Sequence, residues 1–512
     1  MKKLLLIVLS ALLLCSVLPA ADVVNIDSGP IIGTDADGLR IYLGIPYAAP
    51  PIGPLRWRPP QAVQAWTGVK ECAAYGSSCP QPESIKIGIT SEDCLYLNVW
   101  TPAKTDGDKL PVMVWIHGGG WSLGSGSMPM FNGAKLAKKG VVFVNFNYRL
   151  GPFGFFVHPQ LCKESPYGVS GNYGLMDQIA ALKWVKNNIS AFGGDSENIT
   201  IFGESSGSMS VSLHMISPLS TGLFNRGISQ SGAPYGLGYI FPQADGQMQK
   251  AIIEGQKLTA VLGCDKAADP IAALRSVSSE AIIAAYPFDL TPFSPGMKFA
   301  PVIDGYVIPD DPEKMYMQGK NLDVPLIIGS NSDEGTAFYQ TMTVSEYRNW
   351  IALQFGKHVD EVFAMFPAKT DADVRSAFNR LSSVMIFSEP SRFAARSREG
   401  KTSRTFFYHF TRVSPTELGK AMGATHGTDL LYVFGNTDKS FGFTGTDARL
   451  SQNMMDYWVN FAKTGDPNSS GLPLWPVYSR TGDENIEFGD QIRVNKNLLK
   501  KECDLIRSIR QY

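Results

Sequence analysis

Two stretches of this 512-residue chain fit G-x-S-x-G, a pattern that can raise a serine out of the backbone as a nucleophile: Gly203-Glu204-Ser205-Ser206-Gly207 and Gly120-Trp121-Ser122-Leu123-Gly124. The pattern is short and recurs by chance, so context must separate the two. Ser205 follows the apolar run Ile199-Thr200-Ile201-Phe202, and a helix is predicted over residues 206–215. That places it on a strand–turn–helix elbow, where a tight turn presents the hydroxyl above a sheet. Ser122 follows a glycine loop with no strand just before it. Ser205 is therefore the expected nucleophile, with an ordinary helix cap as the competing reading of the same residue.

A serine hydroxyl needs a general base, and the base needs a carboxylate to orient it. On an elbow of this type the order along the chain is serine, acid, histidine. Four histidines follow Ser205. His214 falls inside the helix after the elbow, His409 within an apolar strand-like run, and His358 in a polar stretch. His426 lies among small residues, Gly423-Ala424-Thr425-His426-Gly427-Thr428, a loop suited to presenting a base, and leads over His409. For the acid, Ile327-Ile328-Gly329-Ser330-Asn331-Ser332-Asp333-Glu334-Gly335 places two carboxylates after a strand. Spacing alone leaves Asp333 and Glu334 both open, since either also suits a helix N-terminus.

Acyl transfer also needs fixed donors for the oxyanion. His117-Gly118-Gly119-Gly120 closes the run Val112-Met113-Val114-Trp115-Ile116, and glycines let the backbone approach a substrate closely. The N–H groups of Gly119, Gly120 and Ser206 are the expected oxyanion donors; losing one such donor typically costs on the order of 10²–10³ in turnover.

The elements that must carry these groups are legible as an alternation. Near-continuous apolar runs at 112–116, 141–146, 199–202, 325–328 and 405–408 fit strands buried on both faces. Between them Leu175, Ile179, Leu182, Val185 and Ile189 repeat at helical spacing. This predicts an α/β protein, with a large, mostly parallel central sheet flanked by helices in a single large domain. Residues 235–320 are less regular and are expected to cap the site. Trp121, Phe293 and Phe299 are aromatic candidates for the pocket.

Composition narrows the partners. The 46 basic and 47 acidic residues give a net charge of -1 with no basic block, which argues against nucleic acid. A hydrophobic content of 44% supports a large core. Lys2 and Lys3 precede an apolar run at 4–14, with Ala20 and Ala21 after it. Residues 1–21 read as a cleaved export signal and 22–512 as the folded domain. The run is too short to span a bilayer. The expectation is a secreted or periplasmic protein with no stable membrane anchor. Six of the seven cysteines lie beyond residue 21, at spacings unsuited to zinc; no metal or cofactor is expected.

With these residues in place the chain resembles the type-B carboxylesterases, the α/β-hydrolase family that includes the cholinesterases. The likeness spans nearly all of 22–512. It is carried by Glu92-Asp93-Cys94-Leu95-Tyr96-Leu97-Asn98-Val99, His117-Gly118-Gly119-Gly120, Asn147-Tyr148-Arg149, Gly171-Asn172-Tyr173-Gly174-Leu175 and Phe202-Gly203-Glu204-Ser205. Gln230-Ser231-Gly232, Pro301-Val302-Ile303-Asp304-Gly305 and Trp458-Val459-Asn460-Phe461 continue it. The resemblance implies Glu334 as the acid and His426 as the base, with Asp429 where a glutamate is commoner. It implies Glu204 and Ser231 as supporting residues and a Cys79–Cys94 disulfide. Two departures stand out. The loop between those cysteines is short and lacks the tryptophan that binds choline by cation–π attraction, and Ser206 replaces a commoner alanine.

The expected activity is hydrolysis of small carboxylic esters by a secreted serine carboxylesterase through an acyl-enzyme on Ser205. A lipase or amidase with the same triad is the alternative within enzymes. A catalytically silent binding or adhesion protein is the alternative of another class.

Overall fold

The computed structural model describes residues 22–83, 87–233, 247–286 and 299–510. The expected export signal at 1–21 and Phe293 lie outside the described residues. The central sheet is built from β1 (Thr34–Ala36), β2 (Leu39–Pro46), β3 (Tyr96–Thr101), β4 (Leu110–Ile116), β5 (Val142–Phe146), β6 (Gly194–Glu204), β7 (Arg226–Gln230), β8 (Leu326–Asn331), β9 (Thr405–Phe410), β10 (Glu484–Phe488) and β11 (Ile492–Lys496). Their spatial order is β11-β10-β9-β8-β7-β6-β4-β5-β3-β2-β1. The seven strands from β5 to β10 in that order run parallel. Antiparallel pairings add β3, β2 and β1 at one edge and β11 at the other. The mostly parallel sheet read from the apolar runs is thus present, finished by antiparallel edges.

Period-two alternation explains why the central strands read as unbroken apolar runs. In β4, Val112, Val114 and Ile116 enter one core cluster while Met113 and Trp115 enter the other. Ile201 and Phe202 divide in the same way in β6, as do Ile327 and Ile328 in β8. Successive side chains point to opposite faces, and both faces are covered. On one face lies α1 (Tyr173–Asn188), contributing Leu175, Ile179, Leu182 and Val185. On the other lies α3 (Gly445–Thr464), contributing Met454, Tyr457, Trp458 and Phe461. Fully burying one such side chain stabilises by about 1.5–3 kcal/mol. A third cluster forms among the helices Val344–Phe355, Asp371–Ser382 and Lys500–Arg510 around Trp350, Phe378 and Ile506.

Between β6 and α3 in sequence comes α2 (Ser206–His214), packed against the face shared with α1 through Met209, Val211 and Leu213. The stretch expected to cap the site contains the helices Gln247–Val261, Pro270–Arg275, Ser279–Ala284 and Pro312–Met317. Cys79 and Cys94 are joined by a disulfide, the pairing the resemblance implied. Among the described residues no helix is long and apolar enough to cross a membrane.

Candidate active site

Strand β6 ends at Glu204, and α2 begins at Ser206. Ser205 between them has φ 56° and ψ -127°, a conformation costing of order 1–3 kcal/mol for a residue with a side chain. The surroundings hold it there. Ser205 N–H donates to the Gln230 carbonyl on β7 at 3.0 Å, and Met209 N–H donates back to the Ser205 carbonyl at 2.9 Å. The glycine of the motif is explained by close approach, since a Cβ on Gly207 would sit 2.1 Å from the Ile116 carbonyl oxygen. Ser122 lacks this setting. It lies in a turn, buried, with its hydroxyl unpartnered among the described residues.

Two loops reach this elbow. After β8, Glu334 is completely buried; its Oε1 accepts from Asn331 N–H at 2.7 Å. Its Oε2 lies 2.6 Å from Nδ1 of His426. Asp333, equal to Glu334 on spacing, turns away: it accepts from Asn379 Nδ2 at 2.9 Å and from Ala424 N–H at 3.0 Å. The geometry therefore brings Glu334, not Asp333, to the imidazole. The ring is flanked by Phe338 and by Phe387, at centroid distances of 5.2 and 4.8 Å. Phe387 is delivered by one turn of π-helix, Ser383–Ser388.

The other histidines are engaged elsewhere. His214 is buried between Gln178 and Ser220, and burial lowers it to about 3. His409 is buried with Nδ1 at 3.1 Å from the Ser330 carbonyl. His358 pairs with Glu361 at 3.3 Å near the surface. His117 stacks on Tyr148 at 4.4 Å and is lowered by burial to about 4.

The relay is not closed onto the serine. Among the described residues no hydrogen bond joins Ser205 Oγ to His426, and Nε2 of the imidazole lies 3.1 Å from Glu204 Oε1. That approach has the distance of an ion pair without the alignment of a hydrogen bond, since Glu204 Oε1 has no hydrogen-bond partner. Burial drives the Glu204 carboxyl up to about 8, with His426 opposing and Asp429 and Glu334 reinforcing. Burial also disfavours charge on His426. The carboxylates of Glu204 and Glu334 together outweigh it, raising the imidazole to about 9. Ser231 has φ 52° and a buried, unpartnered hydroxyl. Asp429 is buried and raised by desolvation, holding donors from Gln230, Asn331 and Tyr408.

Gly119 and Gly120 both have positive φ, at 108° and 62°. Among the described residues their N–H groups, and that of Ser206, donate to no protein acceptor. Trp121 anchors this loop: its N–H donates to Ser206 Oγ at 3.2 Å and its Nε1 to Ser210 Oγ at 3.0 Å. Trp121 is wholly buried and Phe299 packs against Tyr286 at 4.9 Å. A cavity of about 310 Å³ adjoins Gly118, Gly119 and His426, with Leu123, Met128, Met130, Phe131, Leu418, Leu430 and Leu431 among its walls. These wall residues, and Phe338, Phe387 and Asn331, carry no sequence signal, because they come from several separate elements and none stands in a pattern of its own. Among the described residues no cluster of three His, Cys, Asp or Glu side chains is arranged to hold a metal.

The chain is similar to known proteins over nearly its whole length. The profile of the Carboxylesterase family matches residues 20–506. The chain is 37% identical to the fumonisin B1 esterase of Sphingopyxis macrogoltabida, over 92% of this chain and 87% of that one. It is 35% identical to the para-nitrobenzyl esterase of Bacillus subtilis (strain 168), over 93% and 96%. A solved PNB esterase structure superposes with a TM-score of 0.81 at 32% identity, covering 94% of this chain and 99% of that chain.

Proposed function

Because the chain belongs to the carboxylesterase family, and is thereby a carboxylic-ester hydrolase, we propose that it acts through an acyl-enzyme on Ser205. The observation that carries this reading is the 2.6 Å pair of Glu334 and His426 standing beside a serine held at φ 56°. His426 Nε2 takes the Ser205 proton as Oγ attacks the ester carbonyl. Glu334 holds Nδ1–H, fixing the tautomer and favouring the imidazolium that forms. The N–H groups of Gly119, Gly120 and Ser206 receive the oxyanion. The imidazolium returns its proton to the departing alcohol, and water then repeats the sequence on the acyl-enzyme.

The resting contact of Nε2 with Glu204 is compatible with this course. Glu204 and Ser205 are consecutive on the elbow, so a small displacement of the ring exchanges one partner for the other, and catalytic hydrogen bonds commonly tighten only with substrate bound. Glu204 and Ser231 support the triad without reacting.

The apolar walls beside His426 favour a neutral, apolar group on the ester over a cationic one. Para-nitrobenzyl esters, for which one relative is named, are the substrates of first choice for assay. Residues 1–21 are proposed to direct export, a reading supported by the Cys79–Cys94 disulfide, since such bonds persist in oxidising compartments. N-terminal sequencing of the mature protein recovered outside the cytoplasm tests it.

The deciding experiment is an ester panel run on wild type beside Ser205→Ala. Turnover should fall by about 10⁶-fold in the variant, with organophosphonate labelling abolished. Retention of most activity would remove Ser205 from the chemistry.

A further inference from the structure

Glu334 and His426 stand on separate loops, and their 2.6 Å separation has to be fixed by something other than their own contact. Half-buried Asp333 and Thr336 bond to residues 422–425 of the His426 loop, and one fully buried residue touches both the acid itself and the residues flanking the base. Asn331, the last residue of β8, is fully buried. Its backbone N–H donates to Glu334 Oε1 at 2.7 Å. Its side-chain Nδ2 donates to the carbonyl of Thr425, the residue before His426, at 2.9 Å, and to Asp429 Oδ1 at 3.2 Å.

The orientation of this amide is dictated by its neighbours. Turned over, its oxygen would face the Thr425 carbonyl and the Asp429 carboxylate, three acceptors together. As placed, Oδ1 finds no partner among the described residues. A buried unpaired acceptor is a cost that an apolar side chain of similar size would avoid. The site accepts that cost in order to keep the donor. Asp429 is itself immobilised, accepting from Gln230 Nε2 at 2.7 Å and Tyr408 Oη at 3.2 Å, with Gln230 Oε1 held by Trp458 Nε1 at 3.0 Å. The segment 425–429 is thus gripped on both sides of His426 through a single amide.

We propose that Asn331 is a positioning residue for ester hydrolysis, its main chain holding the acid and its side chain holding the base loop on both sides of His426, beside the Asp333–Ala424 and Thr336–Thr425 bonds that also join the two loops. This rests on the reading of Glu334 and His426 as acid and base. Displacement of a catalytic group by 1 Å from a distant change can lower turnover by about 10²-fold.

The test measures turnover per active site, with sites counted by organophosphonate titration carried to completion, for Asn331→Leu and Asn331→Asp. The first removes the donor; the second keeps the side chain's shape and leaves a donor only while its carboxyl is protonated. Each variant should lose about 10- to 100-fold in kcat, with KM within about 3-fold. The acid limb of kcat should move to lower pH in Asn331→Leu, because the imidazolium loses its fixed place against Glu334; in Asn331→Asp the added carboxyl group opposes that shift, so the limb is read on Asn331→Leu. A purely structural asparagine would instead give fewer titratable sites, each turning over at the wild-type rate with an unmoved acid limb, and that result overturns the proposal. If Asn331→Leu does not fold, Asn331→Ala serves in its place, and wild-type turnover per site in that variant overturns the proposal equally. His426→Ala runs alongside: if it keeps activity, the acid–base reading has failed, whatever Asn331 does.

Discussion

His426 and Glu334 are 92 residues apart in the chain and meet at 2.6 Å through Nδ1 and Oε2. With Asn331 N–H on its other oxygen, Glu334 has no freedom to leave the ring. Glu334→Gln keeps the shape but offers an amide where a carboxylate held the Nδ1 proton, so the tautomer and the imidazolium both lose support. Turnover should fall by about 10³–10⁴-fold with KM little changed. Asp333→Asn, whose carboxylate faces Asn379 and Ala424, should lose far less. Steady-state kinetics on the two variants compares them directly, and equal losses would contradict the assignment of the acid.

The pH dependence follows from the second carboxylate. His426 must be neutral to act as a base, and Glu204 and Glu334 raise it to about 9 against the effect of burial. Activity should therefore climb from neutral pH into the alkaline range. Glu204→Gln removes one of the two carboxylates, so the acid limb of kcat/KM should shift to lower pH; an unmoved limb would show that Glu204 exerts no field on the imidazole.

The same groups link stability to pH. His426 rises from an ordinary 6.5 to about 9, and Glu204 from 4.5 to about 8. Both folded values lie above the unfolded ones, so between about pH 5 and 9 these two groups hold more protons in the folded protein than in the unfolded chain, while the buried His117 and His214, lowered to about 4 and 3, act in the opposite sense below about pH 6.5. Stability from His426 and Glu204 is then greatest at the acid end of that window and declines as pH rises through it. Thermal melting between about pH 7 and 9, above the range in which His117 and His214 differ between the two states, should show Tm falling with pH, with a shallower slope in Glu204→Gln.

Legibility in the sequence divides along the range of the interactions. The strands at 112–116 and 199–202 declared themselves because burial on both faces leaves no polar alternation, and Ser205 because its elbow is local in sequence. His426 stood out as a histidine among small residues. The choice between Asp333 and Glu334 did not follow from spacing, since adjacent residues differ only in which way the turn after β8 points them. Resemblance supplied the answer, and the physical reason lies in Ala424 and Asn379, which occupy Asp333 from elsewhere in the chain. Asn331 and Phe387 were invisible for the same reason: their roles exist only once β8, the π-helical turn and the His426 loop have met.

The proposed oxyanion donors can be separated from the side chains around them. Gly119 has φ 108°, and a Cβ there would lie 2.2 Å from the Leu123 carbonyl oxygen. Gly119→Ala must shift the loop, carrying the N–H groups of residues 119 and 120 off target. A loss on the order of 10²–10³ in kcat is expected. Ser206→Ala deletes only the hydroxyl that accepts from Trp121 N–H at 3.2 Å and leaves its own N–H in place. It should cost less than about 10-fold. If Ser206→Ala were the more damaging change, the hydroxyl would have to be doing work now given to the backbone.

The glycine loop is tied to the disulfide through Gln81. Its Nε2 donates to the Gly124 carbonyl at 2.9 Å, and its Oε1 accepts from Gly124 N–H at 2.8 Å. A third bond, from Nε2 to the Cys79 carbonyl at 3.0 Å, joins this amide to the bridged loop. Removing the bridge by Cys94→Ser should lower stability by about 3 kcal/mol, the chain-entropy value for a loop of this size. Gln81→Ala orphans both polar groups of the buried Gly124 and should cost about 1–3 kcal/mol. It should also depress kcat more than KM, since Gly124 packs against His117 and Gly118 at the base of the oxyanion loop. Because Gln81 lies inside the bridged loop, the two changes remove overlapping restraints, and the double variant should lose less than the sum. Urea unfolding of the single and double variants measures the coupling. Strict additivity would mean that the disulfide and the glycine loop are mechanically independent, and that Gln81 does not transmit order from one to the other.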